Sequence, residues 1–266
     1  MDAAEFLGLE PTDDPNRWTL VVTEDIMTGG QFLFGGCGLA AAVAAMESVC
    51  GRPVVWATAQ YLSFAMLGER LDLDVTVVVD GRHTSQARVV AHVGEREILT
   101  VNAALGSREL DVDGQWQVMP DVPTPESCER RAPRFGAERS IMTRLDVRLA
   151  IGRGWEDLDG HPVADGRSAL WVRLPDVEIS AGALAVLGDY VPFGISQSLG
   201  GWWPSNSLDN TLRVVRLVPT EWVLVDVRVD GLRDGFGHGS VYLWSVDGVL
   251  LASASQSALV RNRRFD

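Results

Sequence analysis

Apolar and polar residues follow each other in short runs along most of the chain. Runs that are rich in β-branched residues and end at Gly or Asp indicate antiparallel strands joined by turns. The first half contains four such runs: "VVWATAQYLSF", "RLDLDVTVVVDG", "HTSQARVVAHVG" and "REILTVNAALG". The second half contains another four: "SLDNTLRVVRLV", "EWVLVDVRVDG", "FGHGSVYLWSVDG" and "VLLASASQSALV". The pattern therefore predicts two sets of strands.

Two longer apolar stretches precede these sets. The first, from Phe32 to Met46, is the most apolar part of the chain, and Glu47 closes it. It is shorter than the roughly 20 residues that a helix needs to cross a bilayer. A helix that is apolar on all sides must be buried on all sides, so we predict a buried central helix. The second stretch, "ISAGALAVLGDYVPFGI" at residues 179–195, predicts a matching long helix in the second half.

The two halves resemble each other closely enough to indicate an internal duplication. Their last strands superpose without a gap, with Gly94 on Gly248 and Asn102 on Gln256. Between the halves lies a segment with four prolines and many charges. We predict an N-terminal unit at residues 1–112, a linker at 113–140 and a C-terminal unit at 141–266.

An antiparallel sheet that curls around one buried helix is the hotdog fold. Two such units usually join their sheets edge to edge. Because one chain here supplies both units, the pattern predicts an α+β protein of the double-hotdog class.

The composition and charge of the chain exclude some classes of partner and some reaction mechanisms. The 266 residues carry a net charge of −13, which argues against nucleic acid or an anionic membrane as a partner. The sequence contains no lysine, which excludes Schiff-base and Walker-lysine mechanisms. Its three cysteines form no CxxC pair, and the first residues lack a signal pattern. We therefore expect a reduced, cytoplasmic location and no structural zinc.

Five segments, in their order and spacing, resemble the acyl-CoA thioesterase II family of double-hotdog enzymes. They are "FGGCGLAAAVAA", "GRHTSQARVVA", "MPDVPTPE", "SLDNTLRVVR" and "DGVLLASASQSALVR", which together extend over nearly the whole chain. The resemblance implies a thioesterase that hydrolyses acyl-CoA to a free acid and CoA without a metal or organic cofactor. It is also compatible with a homo-oligomer.

The family is associated with an Asp, a Thr or Ser, and a Gln that position the attacking water. Carried over by position, the acid is Asp209 and the amide is Gln256. The place of the hydroxyl residue holds Asp230, which departs from the family pattern. Either an acid replaces the hydroxyl, or two groups hold the water. Water is also the natural nucleophile here because the GxSxG motif is absent.

Other residues have both a functional and a structural interpretation. Gly35 and Gly36 open the first helix, where backbone N–H groups suit a developing oxyanion, but close packing would equally favour glycine. Trp202 and Trp203 could wall an acyl tunnel, although packing is the default for such residues. Asp189, in "LGDYVPFG", lies near the end of the second apolar helix. We expect a structural role there, as a hydrogen-bond partner of a loop or helix end, and a catalytic role is the alternative.

Two other functions remain open at this stage. A non-hydrolytic acyl-CoA-binding protein is favoured by Asp230 at the hydroxyl position. A hotdog hydratase or dehydratase is disfavoured, because no Gly-Asp-x-Asn-Pro-x-His stretch occurs.

Overall fold

The computed structural model of the chain describes residues 1–133 and 136–261. Residues 134–135 of the predicted linker and 262–266 of the predicted second unit lie outside this description. The α-helices are α1 (Ala3–Leu7), α2 (Gly35–Cys50), α3 (Ala181–Leu187) and α4 (Val191–Ser198). The strands are β1 (Leu9–Pro11), β2 (Arg17–Val21), β3 (Val54–Tyr61), β4 (Arg70–Asp80), β5 (Thr84–Val93), β6 (Arg96–Gly106), β7 (Asp146–Ile151), β8 (Arg167–Arg173), β9 (Ser205–Ser207), β10 (Asp209–Val214), β11 (Val223–Arg233), β12 (Phe236–Ser245) and β13 (Leu250–Val260).

All these strands belong to one antiparallel sheet. Its order is β1-β2-β4-β5-β6-β3-β10-β13-β12-β11-β8-β7, and β9 pairs with β13 outside this path. The first six strands come from the first half of the chain and the last six from the second, so the β3–β10 pair joins two similar sheets edge to edge. The eight predicted strand runs correspond to β3–β6 and β10–β13. The predicted double hotdog is confirmed.

Helix α2 is the buried central helix of the first unit. Its side chains from Cys37 to Val43 are fully buried, and the sheet and α3 surround it. The helix ends where Gly51 adopts a left-handed conformation (φ 61°) and its N–H bonds to the carbonyl oxygen of Glu47. The central helix predicted from the apolar stretch is therefore confirmed.

The second apolar stretch does not form the single long helix that the sequence predicts. Helix α3 ends at Leu187 and α4 begins at Val191. Pro192 lies in the first turn of α4, where its missing N–H is tolerated; within a continuous helix it would remove a hydrogen bond. The resulting break leaves Asp189 between the two helices, at the entrance to α4.

The pairing of the two units shows which residues are equivalent. Thr58 of β3 pairs with Thr211 of β10, and their hydroxyl oxygens lie 2.7 Å apart. Thr58 also pairs with Asn102, whereas Thr211 pairs with Ser255. The residue equivalent to Asn102 is therefore Ser255, and the superposition of Asn102 on Gln256 was wrong by one residue. A shift of one residue changes the face of the sheet: Asn102 is exposed and Gln256 is buried.

The segment between the units packs against the outer face of the second sheet. Among its described residues, regular structure is limited to two 3₁₀ turns, Pro125–Ser127 and Ile141–Thr143, and an isolated bridge at Arg130. The indole N–H of Trp171 donates to the carbonyl oxygen of Pro123 at 2.8 Å. A second apolar cluster forms there, comprising Cys128, Ala169, Trp171, Trp222, Leu224, Trp244 and Leu250. The unit boundaries at 112 and 141 remain a prediction. No helix in the described part of the chain has the length and apolarity to cross a membrane.

Candidate active site

A buried polar network lies where the two units meet. Its centre is the carboxylate of Asp189, which is 7% exposed. Oδ2 accepts the backbone N–H of Gly36, at the start of α2, at 2.6 Å. Oδ1 accepts the side-chain amide of Gln256 and, at 3.4 Å, the hydroxyl of Ser207. The network thus joins the start of α2 in the first unit to side chains of the second unit.

The side-chain amide of Gln256 has a defined orientation. Its Oε1 accepts the N–H of Val191, the first residue of α4, at 3.0 Å. Its Nε2 therefore faces Asp189 and also donates to Ser207 Oγ at 3.1 Å. The carbonyl end satisfies one of the free N–H groups at the start of a helix, and this arrangement presents the N–H end to the carboxylate.

Burial and hydrogen bonding have opposite effects on the acidity of Asp189. Burial raises the pKa of its carboxyl group above the ordinary value of 3.8, because a charge is costly away from water. Donors from Gln256, Gly36 and Ser207 favour the ionised form and oppose this effect. The result is a carboxylate with raised basicity that can accept a proton. Among the described residues, no cluster of three or more His, Cys, Asp or Glu side chains could hold a metal ion.

The two glycines at the start of α2 allow the units to approach each other closely. A β-carbon on Gly36 would lie 2.9 Å from the carbonyl oxygen of Ala185 and 3.0 Å from Cα of Val186, both in α3. One on Gly35 would lie 2.8 Å from Asp189 Oδ2 and 3.1 Å from the hydroxyl oxygen of Tyr61. Close packing therefore requires both glycines. Because the N–H of Gly36 already binds the carboxylate, it is not a free donor for an oxyanion.

The carboxylate of Asp209 binds the backbone of β13. Strands β9 and β10 both pair with β13. Between them the register with β13 shifts by one residue, so the β9–β10 side contains one extra residue, as in a β-bulge. Asp209 lies at this irregularity, and its Oδ1 accepts the backbone N–H of Ser257 at 2.7 Å. The carboxylate therefore accepts an N–H of β13 that a backbone carbonyl oxygen of the neighbouring strand would accept in a regular sheet. The acid that contacts Gln256 is Asp189.

Asp230 is not brought to the network. It occupies the bulge in β11 between Val229 and Gly231, and its side chain is exposed. Strand β12 separates β11 from β13, so two strand spacings, roughly 10 Å, lie between Asp230 and the strand of Gln256. The hydroxyl beside Gln256 is instead that of Ser207.

Trp202 and Trp203 lie in the loop between α4 and β9, the elements on either side of the network. Both are half-buried. The hydroxyl of Ser196 in α4 accepts the N–H of Trp203 at 3.2 Å. The loop that leads to Ser207 is therefore anchored on α4.

The sequence alone gives Asp189 a structural role first, and it does not single out Ser207. The sequence favours a structural role for Asp189, because only Pro192, three residues later, indicates the helix break that places Asp189 opposite Gln256. Ser207 lies two residues before Asp209 in the segment "SLDNTLRVVR", and this position within a recognised segment was the available signal.

The fold and the composite site define a double-hotdog protein with one buried acid–amide–hydroxyl network. Residues 23–106 match the model of the acyl-CoA thioesterase N-terminal domain, and residues 121–260 match that of the C-terminal domain. The chain belongs to the acyl-CoA thioesterase family, whose members are thioester hydrolases.

Solved structures agree with this assignment. A "putative thioesterase" from Novosphingobium aromaticivorans is 34% identical, with a TM-score of 0.84 over 96% of this chain and 98% of that one. A hot dog protein of unknown function from Alicyclobacillus acidocaldarius (21% identity, TM-score 0.86, 98% of each chain) shares the fold. So does the acyl-CoA thioesterase II TesB2 from Mycobacterium marinum (20%, 0.75, 98% of this chain and 99% of that one). No curated protein matches the chain significantly.

Proposed function

We propose that this chain hydrolyses acyl-CoA to a free acid and CoA, using a water that Asp189 binds and deprotonates while Ser207 and Gln256 hold the carboxylate in place. The observation that carries the proposal is the buried carboxylate of Asp189, which is bonded to an amide and a hydroxyl at the junction of the units. The family supplies the substrate class. The proposal keeps Gln256 from the sequence-based expectation and replaces Asp209 by Asp189.

The reaction needs a base and a nucleophile. Water attacks the thioester carbonyl carbon while Asp189 accepts one of its protons. The tetrahedral intermediate then expels the CoA thiolate, which takes the proton back from Asp189. An acid and a thiol are the products, and the carboxylate is regenerated.

The neighbouring thiol is a poor candidate for the nucleophile. Cys37 is fully buried near Asp189, and burial raises the pKa of its thiol. A protonated thiol is a poor nucleophile. We further propose that Trp202 and Trp203, half-buried in the loop that leads to Ser207, form part of the acyl-binding site.

We expect the purified chain to release free CoA thiol from acyl-CoA, with an acid limb in its pH profile. As the pH falls through the pKa of Asp189, protonation removes the base, so kcat/KM should fall. Because that pKa is raised, the limb should lie above the ordinary value of 3.8. Thiol release, followed with a thiol reagent from acetyl- to palmitoyl-CoA and across pH, checks both points.

Other outcomes would favour the other functions. Binding of acyl-CoA without thiol release at any chain length would indicate a binding protein. Loss of the absorbance of a conjugated enoyl-CoA, without thiol release, would indicate a hydratase. A pre-steady-state burst of thiol equal to the enzyme concentration would indicate an acyl-enzyme and contradict direct attack by water.

We expect Asp209→Asn to retain most of the activity. The asparagine oxygen can still accept the N–H of Ser257, so kcat/KM should remain within roughly threefold of wild type. The free energy of unfolding should fall by roughly 1 kcal/mol, because a neutral acceptor replaces a charged one. Steady-state kinetics and urea unfolding measure the two quantities. A loss of activity above a hundredfold with an intact fold would return the role of base to Asp209.

A further inference from the structure

Two buried polar side chains beside Asp189 have at most each other as hydrogen-bond partners in the described part of the chain. They are Tyr61, at the end of β3 in the first unit, and Asn210, in β10 of the second. The hydroxyl of Tyr61 and both polar atoms of the Asn210 amide are buried and make no hydrogen bond of regular geometry to any other residue. Asn210 is 1% exposed. Buried polar groups are nearly always fully paired, so two groups with no partner but each other call for an explanation.

Both side chains lie next to the network. The Tyr61 hydroxyl oxygen and Asp189 Oδ2 lie 3.1 and 2.8 Å from the point that a β-carbon on Gly35 would occupy. The Asn210 amide lies beside the same hydroxyl and interacts with it through a side-chain hydrogen bond, which opposes the rise in the Tyr61 pKa. Burial, and then the charge of Asp189, raise the pKa of Tyr61, so the hydroxyl keeps its proton and remains a donor.

The proposed reaction lacks one component that these groups can supply. Attack on a thioester places negative charge on the carbonyl oxygen, which needs hydrogen-bond donors in a site that excludes water. The N–H of Gly36 and the amide N–H of Gln256 already bind Asp189. The O–H of Tyr61 and the second N–H of the Asn210 amide are buried donors that remain available beside the base.

We propose that Tyr61, together with Asn210, binds the thioester carbonyl oxygen and stabilises the oxyanion of the tetrahedral intermediate. This inference rests on the proposed function. Tyr61 comes from one unit and the base Asp189 from the other, so the carbonyl is held between the units. In the step itself, water bonds to the carbonyl carbon and Asp189 takes the proton. The carbonyl π pair moves to the oxygen that Tyr61 and Asn210 hold.

Tyr61→Phe separates this role from a structural one. We expect kcat to fall roughly 10²–10³-fold, with a smaller change in KM, as for the loss of one oxyanion donor. Because the hydroxyl has no protein partner other than Asn210, its removal should change the melting temperature little. Asn210→Leu, an apolar replacement of similar size, should lower kcat in the same way. Gln60→Ala changes the exposed neighbour of Tyr61 on β3 and serves as the matched control with wild-type kinetics.

Binding of two unreactive analogues tests the carbonyl contact without turnover. In the ketone analogue, a methylene replaces the thioester sulfur; in the thioether analogue, a methylene replaces the carbonyl. Calorimetry with hexanoyl and palmitoyl versions should show that wild type prefers the ketone and that Tyr61→Phe loses this preference.

Each result decides one proposal separately. A preference for the ketone that survives in Tyr61→Phe, or wild-type kcat in that variant, overturns the oxyanion role. If wild type releases no thiol but prefers the ketone through Tyr61, the carbonyl site stands and the hydrolase proposal fails.

Discussion

Asp189→Asn is expected to lower kcat/KM for acyl-CoA by roughly 10³–10⁴-fold, the largest loss for a single substitution in this site. Asparagine cannot accept the proton of the attacking water. Its N–H₂ end would also face a donor, because Gly36, Gln256 and Ser207 all donate to the carboxylate. The network that holds the water would therefore rearrange.

The measurement compares Asp189→Asn with Asp209→Asn, the same change twenty residues along the chain. Circular dichroism and thermal unfolding establish that both variants fold. The raised pKa of Asp189 also affects stability: ionisation costs the folded state, so this contribution is present at low pH and is lost as pH rises through that pKa. Asp189→Asn should remove that part of the pH dependence. Retention of a tenth of the wild-type activity would exclude Asp189 as the base.

Gly36→Ala is expected to lower the free energy of unfolding by roughly 1–3 kcal/mol and to impair activity as well. The new β-carbon would meet two backbone atoms of α3, at 2.9 and 3.0 Å, which cannot move independently of that helix. The two helices would have to separate. The N–H of Gly36, which binds Asp189 at 2.6 Å, would move with α2.

Gly38→Ala in the same helix is the matched control. Its β-carbon would lie 2.8 Å from Cδ2 of Leu99, the end of a side chain that can adjust. Both substitutions gain the same helix propensity, roughly 1 kcal/mol, so the difference between them reports the contact with α3. Urea unfolding and thiol release measure the effects. Equal stability and activity in the two variants would show that the approach of α2 to α3 does not position the site.

Much of the fold could be predicted because local pattern determines it. The eight strand runs and α2 each combine a suitable periodicity with turn residues at their ends. No run was predicted for β1, β2, β7, β8 and β9. Strand β8 is buried from Ser168 to Val172 and therefore shows no alternation. The break between α3 and α4 could have been predicted from Pro192, which interrupts an otherwise helical stretch.

The site was harder to predict because it depends on contacts distant in sequence. Gly36 and Asp189 are 153 residues apart, and Asp189 and Gln256 are 67 apart. The extra residue between β9 and β10 places Asp209, rather than a carbonyl, opposite Ser257. Such an insertion becomes visible only when the pairing strand is known. Gln256 was found because the resemblance marked its position directly.

The pairing of Thr58 with Thr211 has a consequence for how the two halves divide their tasks. By that equivalence, Asn210 corresponds to Ala57 and Gln256 to Ala103, so the first half has methyl groups where the second has amides. A duplicated chain with equal halves would carry two sites, each constrained by the other. On the proposed function, the second half carries the base, the hydroxyl and the amide, and the first half contributes a helix end and Tyr61. We therefore expect the network to tolerate substitutions in the first half as long as they leave Gly36 and Tyr61 in place.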